Sequence, residues 1–250
     1  MGQTRCDATS EQGTNAMHAF TLPPHIVERV VKKRGRIHAC ETIDAATTAL
    51  IVVDLQNAFM QGNVAHAMCE MAPRIVPNVN RLARTLREAG GTVAWIRTRA
   101  TPETLHDWSA YYDLLTPEAR QRRLDALAEG SLGYAFWPEL AIEPNDMIVT
   151  KLRYSAFIQG SSDLAEQLRA RGIDTVLVTG CVTNVCCEST ARDAMMLNFK
   201  TIMVSDGNAA ATDQEHASAL IAFYLNFGDV LTTDEAIAAL GVRERTDAAA

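Results

Sequence analysis

A chain of 250 residues that is 48% hydrophobic can bury one large core, and one α/β domain accounts for it better than two. Its formal net charge of −7 argues against general binding to nucleic acid or to an anionic membrane. No apolar run approaches the roughly 18 residues that a membrane helix requires, and six cysteines at irregular positions, two of them adjacent, do not read as a disulfide framework.

Residues 1–20 are polar, lack the apolar stretch of a signal peptide and are expected to be a flexible tail, so a reducing cytoplasm is the expected location. Residues 21–44 are read as a helical extension: Pro23 and Pro24 precede a short amphipathic helix, His25 to Arg34, whose basic end is closed by Gly35. The cluster Lys32-Lys33-Arg34 complements the helix dipole, a simpler account than an anion site. The main domain is expected over residues 45–240, opening with a strand at Thr48 to Val53. Apolar positions Ile75, Val76, Val79, Leu82 and Leu86 are spaced for a helix packed on a sheet, ending at Gly90-Gly91 before a strand from Thr92 to Arg97.

Between about 101 and 140 the pattern changes to a helical insertion, with Trp108 and Trp137 flanking the charged stretch Glu118 to Glu129. It reads as a cap over a site, as an oligomer contact, or as a peripheral helix with a few buried aromatics. Unless they pack on something, Trp108, Tyr111, Tyr112 and Trp137 form an exposed aromatic patch, so a homodimer or homotetramer is expected. Strands follow at Asp146 to Thr150, Asp174 to Thr179 and Thr201 to Val204, separated by helices at Ser162 to Arg171 and Val185 to Leu197. A helix from Gln214 to Phe227 leads into an edge strand at Asp229 to Thr232. Alternating strands and helices with near-continuous apolar strands imply an α/β fold, a mostly parallel sheet with helices on both faces.

Three segments place reactive side chains just past strand ends. Leu50-Ile-Val-Val-Asp-Leu-Gln-Asn-Ala-Phe59 ends an apolar run in Asp54, and Met147-Ile-Val-Thr-Lys-Leu-Arg-Tyr-Ser-Ala-Phe157 does the same with Lys151. In Val178-Thr-Gly-Cys-Val-Thr-Asn-Val-Cys-Cys-Glu-Ser-Thr-Ala-Arg-Asp193 a strand breaks at Gly180 and a helix starts near Val185, with Cys186 in its first turn. A helix start offers free N–H groups and a positive dipole end, which favour a thiolate and can hold an oxyanion. Taken singly, an acid after a strand is most often a cap, a lysine a solvated charge, and free cysteines small buried hydrophobes. Sites of open α/β sheets lie at the carboxyl ends of strands, so the three can converge although about 130 residues separate the first from the last.

Together these segments resemble the isochorismatase-like cysteine hydrolases, a superfamily that includes nicotinamidase, N-carbamoylsarcosine amidohydrolase, ureidoacrylate amidohydrolase and streptothricin hydrolase. The likeness runs over about residues 45 to 235. Lys-Leu-Arg-Tyr-Ser from Lys151 and Thr-Asn-Val-Cys-Cys-Glu-Ser-Thr from Thr183 are most similar to the ureidoacrylate and streptothricin hydrolase branch. The resemblance implies the isochorismatase-like hydrolase fold, a catalytic set of Asp54, Lys151 and Cys186, a cis peptide between Val182 and Thr183, and an oxyanion site from backbone N–H groups of the Thr183 to Cys186 turn. It implies no cofactor, and cleavage of a C–N bond in a small amide, ureido compound or cyclic amide through a thioester. Gln56, Asn57, Phe59, Tyr154 and Phe157 flank the strand ends as candidate substrate contacts, although Gln56 and Asn57 equally suit a helix cap. Nicotinamidases of this superfamily carry a metal on an acid and two histidines after the second strand. Arg97-Thr-Arg-Ala-Thr-Pro-Glu-Thr-Leu-His106 has one histidine and no Asp-x-His spacing, so no metal is expected. His66 and His216 read as surface or satisfied core residues. Two rivals remain: an isochorismatase-type enol-ether hydrolase, against which the cysteine argues, and a non-catalytic binding member of the fold, against which the intact set argues.

Overall fold

In the computed structural model, residues 17–241 are described, and positions 1–16 of the expected tail lie outside them. The chain runs through α1 (Pro24–Arg34), β1 (Thr48–Val53), a single-turn α2 (Asn57–Met60), α3 (Ala72–Glu88) and β2 (Thr92–Thr98). The insertion holds α4 (Thr104–Asp107), α5 (Ser109–Tyr112) and α6 (Pro117–Leu127), and is followed by β3 (Met147–Lys151), α7 (Leu164–Ala170) and β4 (Thr175–Cys181). Beyond a wide turn at Thr183–Cys187 come α8 (Glu188–Met196), β5 (Lys200–Ala209), α9 (Asp213–Asn226), β6 (Asp229–Leu231) and α10 (Thr233–Ala239).

The strands form one sheet in the order β3-β2-β1-β4-β5-β6, every neighbouring pair parallel. Side-chain alternation explains why both faces need cover. Leu50 and Val52 of β1 join a core with Ile75, Val79 and Leu82 of α3, while Ala49, Ile51 and Val53 join Leu168 of α7, Ala191 of α8 and Phe223 of α9. Strand order reverses between β1 and β4, so the connections leaving their carboxyl ends diverge and open a crevice there.

The N-terminal extension is tied to this domain. Ile26 and Val30 of α1 enter the core on the α9 side. The buried Asp229 carboxylate accepts from the N–H groups of Ala39 (2.6 Å), Cys40 (3.3 Å) and Val230 (3.0 Å). Helix α10 lies beyond the elements expected from apolar periodicity. Its signal is a capping box, in which Thr232 Oγ1 accepts from the Glu235 N–H and the Glu235 carboxylate accepts from the Thr232 N–H. No helix among the described residues is long and apolar enough to cross a membrane.

Gly180 is where β4 passes β1 most tightly. Its φ is 119°, and a Cβ there would sit 2.0 Å from the Val53 carbonyl oxygen and 2.6 Å from the Val53 nitrogen, both backbone atoms. Gly180→Ala is therefore expected to cost about 4 kcal/mol or more, at the upper end for one substitution. Urea unfolding measures this, and a midpoint within error of the parent would show that the two strands can separate cheaply.

Candidate active site

The carboxyl ends of four adjacent strands build one polar cluster. β1 hands over to Asp54, which sits at φ 55°, a left-handed conformation that aspartate tolerates better than most residues. Adjacent parallel strands lie about 4.8 Å apart, so β3 is two strand spacings from β1. Only a long side chain spans that gap, and Lys151, paired with Thr98 in the β2–β3 register, provides it. Lys151 Nζ lies 2.7 Å from Asp54 Oδ2, donates to Thr98 Oγ1 at 2.6 Å and donates to the Arg153 carbonyl at 3.0 Å. Thr98 Oγ1 in turn donates to Asp54 Oδ1 at 2.8 Å. Asp54 and Lys151 are fully buried. Oδ1 thus accepts one hydrogen bond, whereas Oδ2 is ion-paired with Lys151 and accepts no hydrogen bond among the described residues.

Cys186 approaches from β4. The wide turn commits the N–H groups of Val185 (3.1 Å) and Cys187 (3.3 Å) to the Val182 carbonyl. Cys186 is 7% exposed, and it opens into a cavity of about 200 Å³ together with Phe59, His66, Tyr111, Arg123, Tyr154 and Val182. The neighbouring thiols face elsewhere. Cys181 Sγ donates to the Asp54 carbonyl at 3.1 Å and Cys187 Sγ to the Thr179 carbonyl at 3.8 Å, both fully buried. Of the three cysteines only Cys186 lines the cavity.

Burial decides the state of its thiol. Desolvation outweighs the attraction of Lys151 and, with the negative charge of the Asp54 carboxylate, pushes Cys186 up to about 12. The expected preference of the helix start for a thiolate is overruled, because the turn is closed from water and the carboxylate stabilises the S–H form. Lys151 is raised as well, which for a lysine keeps the charged form. Burial opposes its charge, but Asp54 and then Cys186 more than compensate, and its pKa lies above the ordinary lysine value.

The isochorismatase domain family matches residues 48–235. The chain belongs to the isochorismatase family. Among its relatives, an isochorismatase family protein of Bacillus subtilis, YwoC, is 31% identical over 194 residues, 77% of this chain and 94% of that protein. The ureidoacrylate amidohydrolase RutB of Methylobacterium radiotolerans is 34% identical over 224 residues, 83% of this chain and 85% of RutB. A cysteine hydrolase from Pseudomonas syringae pv. phaseolicola superposes with a TM-score of 0.71 at 32% identity, over 80% of this chain and 94% of the other. The N-carbamoylsarcosine amidase of Thermoplasma acidophilum follows at 0.61 and 28%, over 75% and 97%. This chain is therefore an isochorismatase-family hydrolase.

Five expectations about this family member need correction. The cis peptide joins Cys181 and Val182, one residue before the expected Val182–Thr183 bond. Gln56 is a buried strut: its amide donates to the carbonyls of Thr98 and Tyr134 and accepts from the Thr98 N–H at 2.7 Å, which continues the sheet ladder past the strand ends. Asn57 opens α2 and donates to the Leu132 carbonyl at 3.0 Å, away from the cavity, and Phe157 packs on Phe199 with ring centroids 5.5 Å apart in the core. Phe59 and Tyr154 do line the cavity. Finally, the aromatic residues of the insertion are no open patch. Tyr112 is buried, Trp108 stacks on Tyr111 at 4.3 Å, and both pack edge-on against Tyr154. Trp137 packs half-buried against the core. The argument for an oligomer from that patch therefore falls away.

Thr98, Arg123 and His66 belong to the site; sequence reasoning did not name the first two and read His66 as a surface or core residue, whereas His216, read in the same way, is a buried residue behind the turn. Thr98 closes an apolar strand much as Asp54 and Lys151 do, which is the signal that would have found it. His216 Nδ1 lies 2.9 Å from Thr183 Oγ1, its ring stacked on His18 at 4.4 Å. His66 and His216 are held neutral. Desolvation, then Arg123 and Arg122, lowers His66 to about 3, and desolvation, then His18, lowers His216 to about 4. The unfolded chain takes up protons near pH 6.5 that the native rings refuse, so their stabilising contribution is full above about pH 7 and is lost as the pH falls toward 4. Unfolding free energy is expected to fall by up to about 1.4 kcal/mol per pH unit for each ring across that window. Urea titrations at pH 7, 5.5 and 4.5 measure it. An unchanged slope in His216→Asn would show that this ring contributes nothing.

Proposed function

We propose that this hydrolase cleaves the C–N bond of a small amide, ureido compound or lactam, with Cys186 as nucleophile. The observation that carries the reading is the Asp54 carboxylate, fixed by Lys151 and Thr98 with Oδ2 open, beside the one cysteine of the turn that faces the cavity. A thiol held in its protonated form needs a base at the moment of attack, and Oδ2 supplies it. The proton moves from Sγ to Asp54 as sulfur bonds to the substrate carbonyl carbon. The resulting oxyanion is taken by the N–H groups of Val182, Thr183 and Cys186, since those of Val185 and Cys187 are already bonded to the Val182 carbonyl. Collapse breaks the C–N bond, the amine leaves with the Asp54 proton, and a thioester remains. Water then attacks, giving one proton to Asp54, and the acid leaves as that proton returns to Cys186. Lys151 holds Asp54 in place and offsets the negative charge that passes between carboxylate and sulfur. Relatives whose names include ureidoacrylate amidohydrolase and N-carbamoylsarcosine amidase support this bond type.

Ammonia and amine release from a panel of primary amides, ureido acids and lactams tests the proposal, with an enol-ether substrate as the competing chemistry. Turnover of the enol ether alone would overturn it. Among the described residues no three His, Cys, Asp or Glu side chains are grouped to share a metal ion. EDTA is accordingly expected to leave turnover unchanged, and a loss reversed by added zinc would show a ligand set formed outside these residues.

A further inference from the structure

Residues 17–22, ahead of α1, are pinned behind the turn that carries Cys186. His18 is fixed at both ring nitrogens, with its side chain only 4% exposed. Its Nε2 accepts from the Ala210 N–H at 3.0 Å, which leaves the ring proton on Nδ1, 2.6 Å from Asp213 Oδ1. Asp213 opens α9, so the imidazole is a rigid plate on that helix although it belongs to the N-terminal segment. The His216 ring of α9 stacks on the plate, with centroids 4.4 Å apart and planes 19° from parallel. Phe20 meets the same ring edge-on at 5.7 Å. Two aromatic side chains of one short segment thus enclose His216.

Only one edge of His216 makes a polar contact. Its Nδ1 shares a hydrogen bond with Thr183 Oγ1 at 2.9 Å, whereas Nε2 is buried with no partner among the described residues. His216 is 1% exposed and Thr183 is fully buried. A buried ring with half its polar capacity unmet costs more than an apolar side chain of that size, so what the imidazole contributes is its hold on Thr183. Threonine is stiff at χ1, and its rotamer depends on φ and ψ. Anchoring Oγ1 therefore restricts the backbone of Thr183 and with it the direction of the Thr183 N–H. Val182, Val185 and Cys186 of the same turn line the cavity and His216 does not, so the ring reaches the reacting atoms only through Thr183.

We propose that His216 is a positioning residue for the oxyanion donors, and that residues 17–22 belong to the catalytic apparatus because His18 and Phe20 hold His216 against Thr183. A donor to an oxyanion works only when it is aimed at the place where charge develops, and losing one costs about 10²–10³ in kcat. A donor that is loosened rather than removed should cost less, about tenfold. The inference rests on the thioester mechanism proposed above. It adds a layer of residues behind the turn and gives the N-terminal segment a part in turnover.

Two reactions of Cys186 separate the aim of the turn from the reactivity of the thiol, and neither requires turnover. Propanal adds reversibly: sulfur bonds to the carbonyl carbon, the π electrons move to oxygen, and the thiol proton ends on that oxygen among the N–H groups of the turn. Iodoacetamide is attacked at its CH2 carbon and loses iodide, so no charge develops on an oxygen of the attacked carbon. Propanal affinity is read as protection of Cys186 from iodoacetamide, with the site located by mass spectrometry. His216→Ala and Thr183→Val should each weaken propanal binding by about tenfold or more while the iodoacetamide rate stays within about twofold. Combining them should add less than about twofold, because both remove the same link. His216→Asn places an amide near the Nδ1 position and should recover most of the affinity, and His18→Ala with Phe20→Ala should fall between. On a hydrolysed amide, His216→Ala should lower kcat about tenfold with KM within about threefold. Unchanged propanal affinity in folded His216→Ala overturns the proposal, and so does an equal loss in both reactions, which a purely structural role would give. Where His216→Ala does not fold, unchanged affinity in Thr183→Val or in the His18 and Phe20 double variant overturns it instead. The proposal also fails if wild-type Cys186 is alkylated but takes up no propanal. Weakened propanal binding with no hydrolysis of any panel member would sink the hydrolase reading and support the positioning role. Normal hydrolysis with unchanged propanal affinity in His216→Ala would do the reverse.

Discussion

Cys186→Ala is expected to lower kcat by at least about 10⁴-fold, because it removes the atom that forms the covalent intermediate. The loss should occur in a folded protein, since the replaced sulfur borders a cavity and donates no hydrogen bond to the core. Cys181→Ala and Cys187→Ala provide the contrast. Their thiols are bonded to the Asp54 and Thr179 carbonyls in closed surroundings, so each change should cost stability while leaving at least part of the turnover. Steady-state kinetics alongside urea unfolding separates the two patterns. The nucleophile assignment fails if Cys186→Ala retains full activity, or if only Cys187→Ala is inactive while folded. Iodoacetamide should label Cys186 before Cys181 and Cys187. The raised thiol pKa makes that labelling slow at neutral pH, and it should accelerate with rising pH, since only the thiolate reacts.

Lys151→Arg and Lys151→Ala should both lose most of kcat, by about 10²-fold or more but less than Cys186→Ala. Three oxygens enclose the ammonium: it donates to Thr98 Oγ1 at 2.6 Å and to the Arg153 carbonyl at 3.0 Å, and it is ion-paired with Asp54 Oδ2 at 2.7 Å. A planar guanidinium is larger than this fully enclosed space and cannot point donors along three tetrahedral directions. Alanine leaves Asp54 buried without its counter-ion, which typically costs about 3–5 kcal/mol or forces the carboxylate to take up a proton. A protonated Asp54 can no longer accept from the thiol, so kcat falls even where circular dichroism reports an intact fold. Near-normal kcat in Lys151→Arg would show that the base is positioned by something else.

Sequence by itself determined the architecture, and through the family resemblance of three motifs it named the residues proposed to react. Apolar runs such as Leu50 to Val53 have no polar face to offer water, so they must be covered on both sides, and helices alternating with them can do so only around a parallel sheet. In such a sheet the carboxyl ends of the strands gather on one edge, which allows Asp54, Lys151 and Cys186 to converge. What followed from hydrogen-bond geometry and enclosure was decided only in three dimensions. Gln56 flanks Asp54 in the chain, yet the gap between the ends of β1 and β2 makes it a strut. Phe157 follows Lys151 closely but turns into the core on Phe199. The Cys186 thiol stays protonated because the fold closes water out of the turn, and desolvation depends on everything packed around it rather than on its helix position. Arg123 and His66 are 57 residues apart and meet only because the insertion folds back over the site. An arginine in a charged helix looks solvated until the helix has a face to bury, and burial is a property of the whole fold.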